Sequence, residues 1–268
     1  MKPILTIAIF FNLLFMSVCA VHANDSKETD SQFSVHWYPQ AAMITGIFEH
    51  PRKVKSQEDF HLMRFDQWHS QVDIVSKTNN NSVIPISSCD EYFSLQNGEW
   101  GEWTYIYERE YRRLMGFAQV CQIAELISKA QPPKTSTLTY PLYPLTGATL
   151  PEQLPAEVAY MLSVQYRKDL LQDPTIQTWS DILLALKSEI TLYTSDELDQ
   201  FRFETNDDGV QRISVLARGD FTGDGMEEIL LRSSNSVKGY PGAGFIGLFI
   251  LRPDGSGDRF QLVREFFY

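Results

Sequence analysis

The segment Asp220-Phe-Thr-Gly-Asp-Gly-Met-Glu-Glu228 places oxygen-bearing side chains around a turn that its two glycines allow to be tight. In loops of this spacing the seventh position contributes a backbone carbonyl, which is that of Met226 here. Hard cations such as Ca²⁺ take six to eight oxygen ligands at about 2.3 to 2.6 Å. The spacing therefore predicts a calcium site whose ligands are Asp220, Thr222, Asp224, Met226 and Glu228.

The residues on either side of this loop indicate what carries it. Arg212-Ile-Ser-Val-Leu-Ala217 precedes the loop and Ile229-Leu-Leu231 follows it. These short β-branched and aliphatic runs predict buried strands. A helix-flanked EF-hand would need a bidentate glutamate at position twelve, where this chain has Leu231. We therefore expect a strand–loop–strand unit.

The stretch from Gly219 to Gly225, with Glu228-Ile-Leu230 after it, resembles the calcium-binding element of FG-GAP or VCBS-type repeat proteins, roughly G-D-F-N-G-D-G-x-x-D-hydrophobic. Thr222 and Glu228 replace the usual Asn or Asp and the usual Asp, and both keep an oxygen in place. The resemblance covers a single copy, about residues 212–240. It implies a calcium ion with a structural role.

The same residues also suit an ordinary acidic hairpin turn, because Asp-Gly pairs favour positive φ. Two other segments, Asn206-Asp-Asp-Gly209 and Asp254-Gly-Ser-Gly-Asp258, lack the complete oxygen pattern and are predicted to be plain hairpin tips. The loop that begins at Asp220 differs from them because it has an oxygen at every expected ligand position.

The amino terminus has the layout of a secretory signal peptide: Lys2, an apolar run from Ile4 to Val18, and then small residues. The apolar run is shorter than the roughly 20 residues that span a bilayer. We expect cleavage after Ala23, with Ala20 as the alternative, and a periplasmic or secreted protein. Lipid attachment at Cys19 is a further alternative.

Export leaves two cysteines, Cys89 and Cys121, in an oxidising compartment. We predict that they pair, which would tether the segment around Cys89 to a helix; two free buried thiols are the alternative. The formal net charge of −11 argues against nucleic acid and anionic membranes as partners. A cationic partner or calcium fits this charge better, and no transmembrane segment is expected in the mature chain.

The predicted class is α+β: a helical and mixed amino-terminal region followed by an antiparallel sheet that bears the calcium loop. We divide the chain into a signal peptide (1–23), an amino-terminal region (24–131), a proline-rich connection (132–155) and a carboxy-terminal region (156–268). Periodicity predicts strands in 60–69 and 71–75, and helices at 105–129, at 156–171 and from about residue 180. Further strands are predicted at 190–193, 200–204, 211–217, 226–232, 244–251 and 260–267.

Four other segments contain residues that bear on chemistry or binding. His61 and His69 with Asp66 match no recurrent zinc spacing and favour ordinary strand positions. The cluster Glu99-Trp-Gly-Glu-Trp103 pairs carboxylates with tryptophans, as a glycosidase would require. Gly239-Tyr-Pro-Gly-Ala-Gly-Phe-Ile-Gly247 is either a binding loop or a strand connection that needs positive φ. The polar run Arg232-Ser-Ser-Asn-Ser-Val237 is not explained by packing periodicity.

These observations favour binding over catalysis. We predict an exported calcium-binding protein that acts as a protein- or glycan-binding or inhibitor module in the cell envelope. The alternative is an envelope hydrolase that acts on a glycan through the cluster at Glu99 to Trp103.

Overall fold

The computed structural model describes residues 34–76, 82–96, 103–105, 108–136, 138, 145–159, 168–187, 189–195, 200–206 and 208–267. Contacts divide the chain into two units, Met1–Gln32 and Phe33–Tyr268, and the second holds all of the described residues. The predicted signal peptide, with both candidate cleavage sites and Cys19, lies outside the described residues.

Helices are concentrated before the main sheet. They are α1 (Pro39–Ala42), α2 (Gln57–Leu62), α3 (Cys89–Gln96), α4 (Glu108–Lys129), α5 (Leu150–Gln153) and α6 (Trp179–Leu186), with 3₁₀ turns at Met43–Ile47, Met63–Phe65 and Ala156–Val158. The long helix predicted for 105–129 is confirmed as α4, except that Tyr105 lies in the short strand Trp103–Tyr105 and the helix begins at Glu108. Its buried residues Leu114, Phe117, Cys121 and Ala124 recur every three or four positions, as one face of a helix requires.

The strand predicted for 60–69 is wrong, because α2 and the 3₁₀ turn Met63–Phe65 occupy much of this segment. Helix α2 begins with a capping box in which Ser56 Oγ accepts the N–H of Asp59, while the Asp59 carboxylate accepts the N–H of Ser56. This reciprocal pair satisfies amides that have no partner within the helix. Phe60 and Met63 are both buried and three residues apart, which is a helical spacing and not the two-residue alternation of a strand.

The strands form two antiparallel sheets. They are β1 (His36–Trp37), β2 (Val72–Ser76), β3 (Val83–Ile86), β4 (Trp103–Tyr105), β5 (Ile190–Ser195), β6 (Gln200–Thr205), β7 (Gly209–Gly219), β8 (Glu228–Val237), β9 (Tyr240–Pro253) and β10 (Phe260–Phe267). The large sheet has the order β10-β9-β8-β7-β6-β5, with β1 also paired to β7, and the small sheet has the order β3-β2-β4. The α+β class is therefore confirmed.

The large sheet is covered on both faces. Leu230 and Ile250 pack into a core with α4 and the small sheet, whereas Leu231 and Phe249 pack into a second core with α5 and α6. Burial on both faces explains why Ile229-Leu-Leu231 is continuously apolar and does not alternate with polar residues. The predicted amino-terminal region therefore shares a core with the carboxy-terminal strands.

Two predicted segments differ from the expected layout. In the stretch 156–171 the structure has the 3₁₀ turn Ala156–Val158 and helical residues 168–170, and residues 160–167 lie outside the described part. Most of the glycine-rich segment 239–247 is strand, because β9 begins at Tyr240, and Gly239, with φ of +80°, lies in the turn between β8 and β9. Within the described ranges, no helix has the length and apolar character needed to cross a membrane.

Candidate functional site

The loop predicted to bind calcium connects β7 to β8, as expected for a strand–loop–strand unit. Gly223 and Gly225 have φ of +81° and +88°, a conformation that L-residues with side chains rarely adopt. Asp220 is 2 % exposed, and its two carboxylate oxygens accept the N–H groups of these glycines at 2.6 and 2.7 Å. The buried carboxylate of Asp220 therefore holds the backbone of the turn in place through these two hydrogen bonds.

A cation from another strand lies inside the loop. The Nη2 atom of Arg252, on β9, is 2.5 Å from Glu228 Oε1 and 2.6 Å from Asp224 Oδ2. The same nitrogen is 3.3 Å from Thr222 Oγ1. Three of the predicted ligand side chains thus converge on a single guanidinium nitrogen. Arg252 is 24 residues beyond Glu228 and outside the motif, so the spacing of the loop did not predict it.

The carboxylate of Glu228 has three hydrogen-bond partners. It is fully buried, and it accepts the N–H of Phe221 at 3.0 Å and the hydroxyl of Thr222 at 3.0 Å, in addition to its contact with Arg252. Burial nevertheless raises the pKa of Glu228, because the loss of water outweighs these interactions. Glu228 is therefore a buried carboxylate that depends on its partners.

Asp224 lies at the outer side of the loop. The N–H of Met226 donates to Asp224 Oδ1 at 3.0 Å, and this bond, with the contact to Arg252, lowers the pKa of Asp224. For Arg252, burial opposes the charged form, but the bonds to Glu228 and Asp224 outweigh it and raise the pKa. The loop is thus neutralised in part by a resident positive charge.

The segment that follows α4 is hydrogen-bonded to the loop. Gln131 and Asp220 exchange two backbone hydrogen bonds, at 2.8 and 2.9 Å. The carbonyl of Gly225 accepts the N–H groups of Lys134 and Thr135. The beginning of the predicted proline-rich connection therefore forms one wall of the loop.

A second acidic residue beside the loop was also missed. Glu227 is buried and accepts two hydrogen bonds from Arg218, at 3.1 and 2.6 Å, as well as the hydroxyl of Ser136. Glu227 directly precedes β8, and Glu227 and Glu228 each form an ion pair with a different arginine. The acidic pair in the sequence is the one signal that could have suggested two cationic partners.

The fit of a divalent ion can be judged from this arrangement. The convergence of oxygens on Arg252 Nη2 is the geometry of a cation position, and a calcium ion that used Asp224 and Glu228 would need the same place. Among the described residues there is no group of three or more His, Cys, Asp and Glu side chains arranged to hold a metal. The loop as it stands fits the guanidinium.

Cys89 and Cys121 form the predicted disulfide, with their Sγ atoms 1.98 Å apart and their Cα atoms 5.3 Å apart. The bond joins the first residue of α3 to the middle of α4. Both residues are buried in the core that α4 shares with the large sheet. The alternative of two free thiols does not apply to this structure.

In the described part of the chain, His61, His69 and Asp66 do not assemble into a site. The carboxylate of Asp66 pairs with Arg52 at 2.9 Å, while His61 and His69 make edge contacts with Phe65 and Phe117. The cluster from Glu99 to Trp103 lies outside the residues whose side chains are described. The hydrolase alternative therefore stays a prediction.

The fold and the loop together define an α+β protein whose antiparallel sheet carries an acidic turn closed by an arginine. Comparisons with protein-family models, with curated proteins and with solved structures gave no match. The resemblance to FG-GAP or VCBS-type elements thus rests on the residues of the loop alone.

Proposed function

We propose that this chain is an exported, non-catalytic binding protein whose 220–228 loop binds a cation, and that Arg252 and Ca²⁺ compete for the same oxygens. The observation that supports the proposal is the meeting of Glu228, Asp224 and Thr222 at one nitrogen of Arg252. Oxygens of one tight turn that meet at a point are what a hard cation requires.

Competition with Arg252 determines the expected affinity. A calcium ion must remove a guanidinium that already neutralises part of the loop, so a share of its binding free energy is spent on that displacement. We therefore expect binding in the range of weak extracellular calcium modules, about 10⁻⁴ to 10⁻³ M. Such an affinity suits an exported protein, in keeping with the predicted signal peptide and the disulfide.

The partner surface that we propose lies at the end of the sheet where the loop is. Asp224 is exposed there, and the neighbouring β9–β10 turn exposes Asp254 and Asp258. The polar run at 232–237 and the glycine-rich run lead to the opposite end of β8 and β9. A protein segment or glycan of the envelope that carries positive charge would complement the acidic end.

The test is thermal unfolding of the mature protein in millimolar calcium and in chelator. A ligand that binds only the folded protein adds about 2.7 kcal/mol at 100 times its dissociation constant, so we expect the melting temperature to rise. Asp224→Ala should abolish the rise, and Asp254→Ala, which changes an acidic residue of the neighbouring turn, should retain it. No rise in the wild type, or equal loss in both variants, would refute the proposal.

A further inference from the structure

The face of the large sheet that packs against α4 contains a polar row in an otherwise apolar setting. Gln200, Ser214 and Arg232 lie directly opposite one another on the adjacent strands β6, β7 and β8. Leu216 and Leu230, further along the same face, belong to the core. The row therefore marks the point where the apolar packing between helix and sheet ends.

A pocket of about 330 Å³ opens over this row. One turn of α4 lines it with Gln119, Val120 and Ile123, and the 3₁₀ turn Met43–Ile47 closes another side with Ile44 and Ile47. The volume falls within the range of small-molecule pockets, which are mostly apolar with a few polar groups. This pocket has that composition.

Arg232 is the charged residue among those that line the pocket, and its side chain has no hydrogen-bond or ion-pair partner among the residues that the structure describes. Its Nε is buried without a hydrogen bond, and within the described part of the chain the guanidinium has no ion pair. Burial lowers the pKa of Arg232, because the charged guanidinium loses contact with water. Arg218 and Arg252, in the same sheet, each meet a glutamate.

A second donor at the pocket is also unsatisfied. Gln119 is 3 % exposed, and its Nε2 has no hydrogen-bond partner in the described residues. An unpaired buried amide or guanidinium destabilises a fold, so such groups are ordinarily satisfied. The presence of two unpaired donors at one pocket is explained if a bound ligand supplies the hydrogen-bond acceptors.

From this geometry we infer that the pocket is a binding site for a small organic carboxylate with an apolar body. The planar fork of Arg232 matches the two oxygens of a carboxylate, and Gln119 supplies another donor. The single positive charge matches a monoanion better than a phosphate dianion. The aliphatic side chains of Ile44, Ile47, Val120, Ile123 and Leu216 receive the apolar part of the ligand. This site is independent of the 220–228 loop.

The inference is tested by calorimetry of the mature protein with octanoate as the probe, in chelator so that the loop plays no part. Octan-1-ol and inorganic phosphate are the comparison ligands. We expect octanoate to bind more tightly than either one. Arg232→Met should weaken the binding of octanoate by about tenfold or more, because a hydrogen bond to a charged group is lost. Binding of octan-1-ol should be unchanged.

Two further variants make the result specific. Arg212→Met removes the same charge from an exposed position of β7 that does not line the pocket, and it should leave octanoate binding intact. Gly46 lines the pocket, and a Cβ there would meet nothing within 4 Å, so Gly46→Leu should block octanoate without disturbing the core. In the absence of ligand, Arg232→Met should melt at or above the wild-type temperature, because a buried unpaired charge has been removed.

The inference fails if the wild type does not bind octanoate, if octan-1-ol binds as tightly, or if phosphate binds in its place. It also fails if Arg232→Met and Arg212→Met weaken octanoate equally. A marked drop in the melting temperature of Arg232→Met would show that the guanidinium is a structural group, and this too would overturn the assignment.

Discussion

Arg252 and Glu228 form an ion pair across β8 and β9, with Nη2 2.5 Å from Oε1, and the carboxylate of Glu228 is completely buried. The strand register brings them together, because Ile229 lies opposite Leu251 and each charged residue is one position closer to the loop. The conformation of the 220–228 loop is thereby linked to a strand that the loop motif does not include.

The first prediction concerns the loss of this pair. Arg252→Met leaves Glu228 buried without its cation, and breaking a buried pair in this way typically costs about 3 to 5 kcal/mol. We expect that decrease in the free energy of unfolding by urea denaturation in chelator. Millimolar calcium should restore part of it, because the ion no longer competes with a guanidinium.

The control for this experiment is Arg212→Met, which removes an exposed arginine of β7 and should change the free energy of unfolding by less than about 0.5 kcal/mol. Similar losses in Arg252→Met and Arg212→Met would show that the Arg252–Glu228 pair does not hold the loop.

The second prediction is that Asp224 and Glu228 affect stability with opposite dependence on pH. The pKa of Asp224 is lowered below its ordinary 3.8, so the stability that it contributes is present above that pH and is lost as the pH falls through the lowered pKa. The pKa of Glu228 is raised above its ordinary 4.5, so its contribution is fully present below 4.5 and declines as the pH rises through the raised pKa.

Urea midpoints of the wild type, Asp224→Asn and Glu228→Gln between pH 3 and pH 7 measure both dependences. The urea midpoint of Asp224→Asn should be lower than that of the wild type at neutral pH. This difference should shrink below about pH 4, where the wild-type carboxyl also becomes neutral. The urea midpoint of Glu228→Gln should increase relative to that of the wild type as the pH rises from about 4 to 7. Parallel curves for the two variants would contradict the opposite signs.

The sequence predicted the elements whose pattern is local. Helix α4 follows from its buried residues at three- and four-residue steps, and the β7–loop–β8 unit follows from two aliphatic runs around a glycine turn. Helix α2 was predicted as a strand from the aromatic residues at 60–69, and its capping box, Ser56 with Asp59, is a helix signal that this prediction did not use. A local helix signal was present there but was not used.

What the sequence could not supply depends on register between distant segments. Arg252 reaches the loop because of the pairing of β8 with β9, and Gln131 reaches it because of where α4 ends. Arg232 lines one pocket with Ser214 and Gln200 because the register of β8 with β7 and of β7 with β6 places the three residues in one row. No rule relates the sequence separations of these residues to their contacts in the fold. The motif therefore identified the oxygens of the loop but not the cation between them.

The third prediction concerns the disulfide. Cys89 and Cys121 are 32 residues apart, and closing a loop of this length stabilises a fold by about 3 to 4 kcal/mol in the chain-entropy description. The double variant with alanine at both positions should lose about that free energy of unfolding in urea. Reductant should destabilise the wild type and leave the double variant unchanged; sensitivity of both to reductant would indicate another target.

The last prediction uses two glycines with contrasting surroundings. A Cβ on Gly247 would lie 2.6 and 2.7 Å from two ring carbons of Phe249, whereas a Cβ on Gly46 would meet nothing within 4 Å. Phe249 is buried in the core with α5 and α6, so its ring has little room to move. Gly247→Ala should therefore lower the free energy of unfolding by about 1 to 3 kcal/mol, as overpacking does.

Gly46→Ala is the matched control, and its alanine should be neutral or slightly stabilising, because it reduces the freedom of the unfolded chain without a clash. Urea unfolding of both variants decides between two explanations of the glycine-rich segment. If Gly247→Ala is as stable as Gly46→Ala, the glycine is dispensable for packing. If it is destabilised as expected, Gly247 leaves room for the ring of Phe249, and its place in β9 is set by the core and not by a need for a mobile loop.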